Sequence, residues 1–547
     1  MSNAAMSLSS CSRLTLGVLL ALALGACGQN AASPAALDSA LLGAEKASAV
    51  NITAFAASAP DAARTVTLSW RAENAAAFQL GVNPKDGVQG LPQGAFRGSS
   101  ARVSLPSAPD GTAVTYAFTL RALGARGKAA TKTLSVSVGS ASGAASGDLV
   151  WKARLASDKV DAGRSVLLRP DGGVVVAGST FGSLFASSRG ATDGFLARLD
   201  ASGARVGGVQ FGSGVGQSDD VLGAAIDKSG NVFVVGATTG ALHGESRGTY
   251  DAFVAKYSPD LRLLWAKQLG TSGFEYAEGV AVDPSGNAYV VGSTTGALFG
   301  TNGARERSDP AEDAFVVKFD PQGAQLWARQ LGGDQFDAAY KVATDASGNV
   351  FVAGASSTAL FTPFVAGSPT LFVTKFDSSG GLTWGTQLSD GGGNAIGGIG
   401  VDGGGNAYVA GSGNLASAPQ VYDDAYLIKY APDGRTLWSR QIETGGNEQV
   451  RALTVDARGN SFLGGALFAD EDAVQSDAFV WKYDASGTKV WARRFADAGT
   501  EGPTGVTYGL ALDALGNVYA TGSTESDRFG ANPTQDRADA FVLKLKP

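Results

Sequence analysis

Val282-Asp283-Pro284-Ser285-Gly286-Asn287-Ala288-Tyr289-Val290 joins two apolar runs through a tight turn, and that turn returns along the chain. Its Asp and Asn recur at Asp227/Asn231, Asp345/Asn349, Asp402/Asn406, Asp456/Asn460 and Asp513/Asn517. Arg169 and Gly173 hold the same places in a seventh, degenerate copy, with Gly172 still at the Gly. A unit of about 57 residues repeated from Asp148 onward cannot bury its faces alone and must stack on copies of itself. Around the quoted turn the unit divides into four strand-length runs, 279–282, 288–291, 314–319 and 325–331. These runs are apolar on both faces, so each four-stranded antiparallel sheet has to be covered on both sides by its neighbours. A closed ring of sheets meets that demand.

The ends of the repeat region predict how the ring closes. It opens with Leu149-Val150-Trp151-Lys152-Ala153-Arg154-Leu155, a fourth-strand sequence with no preceding partners. It finishes with Asp539-Ala540-Phe541-Val542-Leu543-Lys544, a third strand with no fourth. Together they complete one sheet and leave no orphan edge. The expectation is an all-β chain with a seven-bladed β-propeller over 148–547, its last blade closed by the first strand of the repeat region. Asp251-Ala252-Phe253-Val254-Ala255-Lys256-Tyr257, Leu264-Trp265 and Val280-Ala281-Val282-Asp283-Pro284-Ser285-Gly286-Asn287 resemble the SBBP-type seven-bladed β-propeller repeat of bacterial envelope proteins. That resemblance implies the fold and carries no shared catalytic motif. Two departures are local: Gly207 replaces a fourth-strand Trp, and Thr370-Leu371 replaces Asp-Ala.

Ahead of the repeats the chain reads as an exported protein. Arg13 precedes an apolar run from Leu14 to Leu24, too short to span a bilayer, and Leu24-Gly25-Ala26-Cys27 follows. The last four residues resemble a bacterial lipobox, which makes 1–27 a signal peptide and Cys27 the lipidation site and membrane anchor. Gly28 after the anchor favours the outer membrane. Residues 28–48, rich in Ala, Ser and Asn, read as a flexible tether. Alternating runs at 65–70, 77–80, 101–105, 115–120 and 133–138 suit a small β-sandwich over 49–140. Leu68-Ser69-Trp70 and the run from Thr115-Tyr116 to Leu120 resemble bacterial immunoglobulin-like domains, with Trp70 as core. Residues 141–147 are a linker. Cys11 lies in the removed segment, so no internal disulfide is expected. A net charge of −7 without clustered Lys and Arg argues against nucleic acid as a partner.

In a four-stranded meander the first-to-second and third-to-fourth turns share one end of the sheet. The longer second-to-third loops, among them 299–312, 356–368 and 523–537, share the other, which makes that face the expected binding face. Eight residues before each turn Asp stand Asp161, Asp219, Glu275, Asp337, Asn394, Glu448 and Gly505. As a ring of carboxylates near the channel mouth they form a candidate binding face for a hard cation or a basic partner. Alternatively each accepts backbone N–H groups in the loop joining two blades, a need that every repeat shares; repetition favours this role. Each turn Asp–Asn pair offers too few oxygens for calcium and suits turn capping. The recurrent third-strand Asp and Lys, such as Asp251 and Lys256, read as contacts between blades. Trp151, Trp265, Trp327, Trp384, Trp438 and Trp491 read as outer packing. His243 is the only histidine, expected in an exposed loop, and this removes His-based triads and multi-histidine metal sites.

The functional expectation is an anchored extracytoplasmic binding or scaffold module for another envelope protein or glycan, without enzymatic activity and without a cofactor. The rivals are a calcium-dependent hydrolase at the channel mouth and a purely structural envelope protein.

Overall fold

The computed structural model describes residues 51–57, 65–83, 99–104, 114–123, 129–138, 147–300, 311–362, 370–388, 395–413, 415, 424–442, 446–468, 475–495, 505–526 and 537–547. Cys27 and the tether lie outside them. The chain divides into two units, Met1–Gly143 and Ala144–Pro547.

The described part of the first unit holds two three-stranded antiparallel sheets. One pairs Asn51–Ala57, Thr65–Glu73 and Ser100–Ser104; the other pairs Ala77–Asn83, Val114–Leu123 and Ala129–Val138. Leu68, Trp70 and Val103 from the first sheet share a core with Leu80, Phe118, Leu120 and Ala122 from the second. The Trp70 ring lies 5.7 Å from that of Phe78. Strand Asn51–Ala57 was absent from the sequence expectation, because its four Ala and Asn residues depress β-propensity and only pairing with Thr65–Glu73 makes it a strand.

The second unit contains, among the described residues, seven four-stranded antiparallel sheets. Their innermost strands are Asp161–Leu168, Asp219–Ile226, Glu275–Val282, Asp337–Thr344, Ala395–Val401, Asn447–Val455 and Gly505–Leu512. Each innermost strand touches the next, and the last touches the first, so the sheets form a closed ring around a central channel: a β-propeller. The final sheet combines Gly505–Leu512, Val518–Thr524 and Asp539–Leu545 with Leu149–Leu155, Trp151 facing Lys544 across the seam. Middle strands such as Val232–Thr238 and Asp251–Tyr257 are buried along their whole length, covered on both faces by adjacent sheets.

A glycine column shapes the channel wall. Gly178, Gly236, Gly292, Gly354, Gly411, Gly465 and Gly522 stand on the second strands, opposite a β-bulge in each innermost strand. A Cβ at Gly292 would lie 1.8 Å from the Tyr276 carbonyl oxygen, and one at Gly236 1.8 Å from that of Asp220. The missing side chain is what lets the bulged backbone tip inward, and the bulge frees one residue per strand from the ladder.

The outer rim is latched by tryptophan on glycine. Trp265 covers Gly323 of the next sheet, where the turn has φ +87° and a Cβ would meet the indole at 2.8 Å; its Nε1 donates to the Pro321 carbonyl at 3.0 Å. Trp327 over Gly380 and Trp384 over Gly434 repeat the arrangement, donating to Ser378 and Pro432. At the junction of the first two sheets both partners change. Gly207 holds the tryptophan position, and Leu261, at φ +59°, holds the turn glycine position. Leu261 is only 8 % exposed, while a Cβ at Gly207 would meet nothing within 4 Å. Arg198 closes the same junction with an ion pair to Asp260 at 3.2 Å.

Candidate functional site

The candidate carboxylate ring is internal. Asp161, Asp219, Glu275, Asp337 and Glu448 are all at 0 % exposure, which corrects their assignment to a binding face. Asp219 accepts Ser213 N at 2.6 Å and Ser213 Oγ at 2.9 Å, and its other oxygen accepts the Thr238 hydroxyl. Glu275 accepts Thr271 N and Thr294 Oγ1, each at 2.8 Å. Asp337 accepts Gly333 N at 3.0 Å, Thr358 Oγ1 at 2.8 Å and the Ser356 hydroxyl. Asp161 accepts Ser157 N at 2.6 Å; burial pushes its carboxyl up to about 6, against its hydrogen bonds from Thr180 and Ser157. Gly505 is buried at the seventh position, and Asn394 lies outside the described residues. The physical reason for the repetition is that each loop between sheets turns N–H groups inward, and a buried donor needs an acceptor.

Two further repeated networks are equally occupied. Asp283 Oδ1 accepts Ser285 N and Asn287 N, while Asn287 Nδ2 donates to Oδ2 at 2.7 Å, so the turn pair caps itself around Gly286 at φ +85°. Lys256 Nζ donates to the Pro321 carbonyl of the next sheet at 3.1 Å and lies 4.7 Å above the Phe233 ring, so it does bridge sheets. Asp251 instead binds within its own sheet: Gln268 Nε2 reaches it at 2.7 Å, with Arg247 N and Gly248 N from its own loop. The outer-strand glutamines escaped the sequence reading. Gln210, Gln330, Gln387 and Gln441 each brace a loop like Gln268, and Arg154, paired with Asp539 at 2.6 Å, takes the place at the seam. His243 is not in an exposed loop. It is half-buried between Phe211 and Phe253, and burial lowers its imidazole to about 4.

What remains uncommitted is the bulge column. Five residues before each turn position, the innermost strands present Arg164, Leu222, Glu278, Tyr340, Gly397, Arg451 and Tyr508. Here the repeat supplies a position and no fixed residue. With Lys341, all but Tyr340 line one cavity of 390 Å³ in the channel. Arg164 lies over the Tyr508 ring at 4.6 Å, and Arg451 Nη2 donates to Gln449 Oε1 at 2.7 Å. Burial raises the Glu278 carboxyl and Glu312 adds to that, while Lys341 and Arg164 oppose it. Burial lowers the Lys341 ammonium, Arg451 and Arg164 add to that, and Glu278 opposes it. Asp220 is raised by burial against the pull of Arg164, and burial takes the Tyr340 phenol up to about 12. The column was available in the sequence as a variable place in a repeating strand. The long loops 299–312, 356–368 and 523–537 lie largely outside the described residues, and among the described residues no group of three His, Cys, Asp or Glu side chains is placed to hold a metal.

A family model described as a beta-propeller repeat, SBBP, matches residues 264–300. An uncharacterized WD repeat-containing protein of Acanthamoeba polyphaga mimivirus is 20% identical over 274 residues, covering 46% of this chain and 19% of its own length. The chain spans about a fifth or less of the length of the curated relatives it matches. Solved structures of similar fold include a gluconolactonase from Xanthomonas campestris, at 13% identity and TM-score 0.31, covering 59% of this chain and 85% of that one. They also include puromycin hydrolase, at 15% identity and TM-score 0.36, covering 76% and 57%. These likenesses show the fold alone. The expectation that the chain lacks enzymatic activity is withdrawn: a fold neither supplies nor excludes catalysis, and the single histidine removes only chemistry that requires more than one or a His-based triad.

Proposed function

We infer that the chain is a lipoprotein anchored at Cys27 in the outer membrane, with an immunoglobulin-like spacer and a seven-bladed propeller that recognises an envelope glycan or protein at its central channel. One observation carries the reading. Three repeated polar networks are consumed in bracing the ring, whereas the bulge column sets unlike residues, Arg164, Leu222, Glu278, Gly397, Arg451 and Tyr508, around one cavity. Symmetric positions with asymmetric chemistry are what a rigid ring needs to recognise an asymmetric ligand. The recognition face is thereby moved from the buried carboxylates to the channel wall.

The test is binding of the full-length chain carrying Cys27→Ser to an array of envelope glycans and to purified envelope proteins, beside an Arg164→Ala/Arg451→Ala variant. Ligands lost with the variant support the channel; ligands indifferent to it refute the channel as the site. For the anchor, labelled fatty acid should enter the native protein and not Cys27→Ser, and equal labelling of both would overturn it.

A further inference from the structure

We propose that the channel holds an acidic sugar, its carboxylate or phosphate gripped between Lys341 and Arg451. This rests on the channel being the ligand site. The wall concerned spans three consecutive innermost strands, with Lys341 on Asp337–Thr344, Gly397 and Gly398 on Ala395–Val401, and Arg451 on Asn447–Val455. The middle strand has no side chain there for a packing reason. A Cβ at 397 would lie 2.4 Å from the Val450 carbonyl oxygen, and one at 398 would lie 2.4 Å from Leu453 Cβ. The following strand, Asn447–Val455, therefore closes up on it, leaving a bare backbone floor between two cations.

Glu278 is the carboxylate that acts on Lys341, against the fields of Arg451 and Arg164, and among the described residues no ion pair within 4.0 Å engages any of the three cations. Arg164 Nε is buried without an acceptor, and Arg451 has donors left beyond the one given to Gln449. Three cations around one cavity call for an oxyanion, which forms charge-assisted hydrogen bonds with each.

The rest of the lining sets the rest of the ligand. Glu278 is its carboxylate and Tyr508 its tyrosine. Carboxylates accept hydroxyl donors, and tyrosine faces suit the C–H face of a sugar ring. A free inorganic anion would be repelled from this side, and a neutral sugar would leave the cations unpaired. An acidic sugar satisfies both, and the cavity of 390 Å³ lies within the range of roughly 300–1,000 Å³ typical of small-ligand sites.

The experiment is calorimetric titration of the full-length Cys27→Ser chain with glucuronate, glucose 6-phosphate, glucose and inorganic phosphate, comparing Lys341→Gln, Arg451→Gln and Glu278→Gln. Tryptophan fluorescence melting checks that each variant is folded. At least one acidic sugar should bind, with glucose and phosphate weaker, and each cation variant should lose roughly tenfold in affinity. The relative strengths of glucuronate and glucose 6-phosphate tell carboxylate from phosphate. No binding by either acidic sugar, or binding unaffected by both cation variants, overturns the proposal. A neutral sugar bound through Glu278 and not Lys341 would refute the acidic ligand and keep the channel; ligands insensitive to every channel substitution would refute both.

Discussion

Replacing Leu261 tests whether the first junction of the ring has exchanged its latch for a complementary one. Leu261 combines 8 % exposure with φ +59°, a conformation that costs a non-glycine residue about 1–2 kcal/mol. Truncation to Ala keeps that strain and removes the buried side chain, for a loss of about 2–4 kcal/mol. Truncation to Gly removes the side chain and the strain together, offset in part by about 0.4–1 kcal/mol of extra unfolded-chain freedom. Leu261→Gly should therefore be less damaging than Leu261→Ala by roughly 0.5–1 kcal/mol, a reversal of the usual order. Gly207→Trp alone should cost about 1–3 kcal/mol, from the φ of +159° imposed on its side chain and from an indole with Leu261 in place of the turn glycine. Combined with Leu261→Gly it should recover part of that loss, because it rebuilds the indole-on-glycine contact found at the other junctions. Hydrogen exchange of strands Arg205–Phe211 and Asp251–Tyr257 in the full chain reads this locally, without requiring a single global transition. Ala no worse than Gly, or additive effects in the double variant, would refute the reasoning.

Gly292→Ala should lower stability by at least about 2 kcal/mol, since its Cβ lands 1.8 Å from the Tyr276 oxygen; an unchanged melting temperature would mean that the bulge does not depend on the glycine. His243 titrates near 4 when folded against 6.5 in its ordinary state, so its contribution is fully present above pH 6.5 and is lost as pH falls toward 4. His243→Phe should therefore gain on the native protein across that fall in urea denaturation. Asp161 runs the opposite way: raised from 3.8 to about 6, it penalises the folded state as pH rises through that window, so Asp161→Asn should gain on the native protein from pH 4 to 6. A Glu275→Gln/Asp337→Asn variant should melt earlier yet show the same calcium content as the native protein. Stoichiometric calcium lost in the variant would restore the carboxylates as a metal site.

The parts legible from sequence are those in which one residue acts within its own few neighbours. The Asp283–Asn287 turn caps itself, and strands 288–294 and 313–319 are apolar on both faces, so the turns and the covered sheets could be read directly. The seam was legible because Leu149–Leu155 and Asp539–Leu545 are each recognisable as one strand of a known set. The role of Glu275 was harder: its partners Thr271 and Thr294 stand on a loop and on the neighbouring strand, and only the register brings them together. The bulge was hidden for the same reason. Gly292 and Glu278 are both visible as columns, but the pairing of Ala277 and Gly279 around an extra residue is a property of two strands and not of either sequence. Gly207 shows as a missing tryptophan, whereas Leu261 gains meaning only when its turn is set beside the glycine turns of the other sheets.

The ring seam also has a mechanical side. Leu149–Leu155 is the outermost strand of the sheet that it completes, and the linker to the first unit enters at its beginning. A pull on the chain ahead of Gly147 would therefore peel this strand from Leu149, taking its ladder hydrogen bonds in turn as a zipper does. The entry is pinned beforehand by the preceding sheet: Arg493 donates to the Gly147 carbonyl at 3.2 Å and pairs with Asp148 at 3.1 Å, and the Trp491 ring would lie 3.0 Å from a Cβ on Gly147. Tension thus falls first on Trp491 and Arg493, one sheet away from the seam, and the closure of the ring is shielded until that clasp gives way.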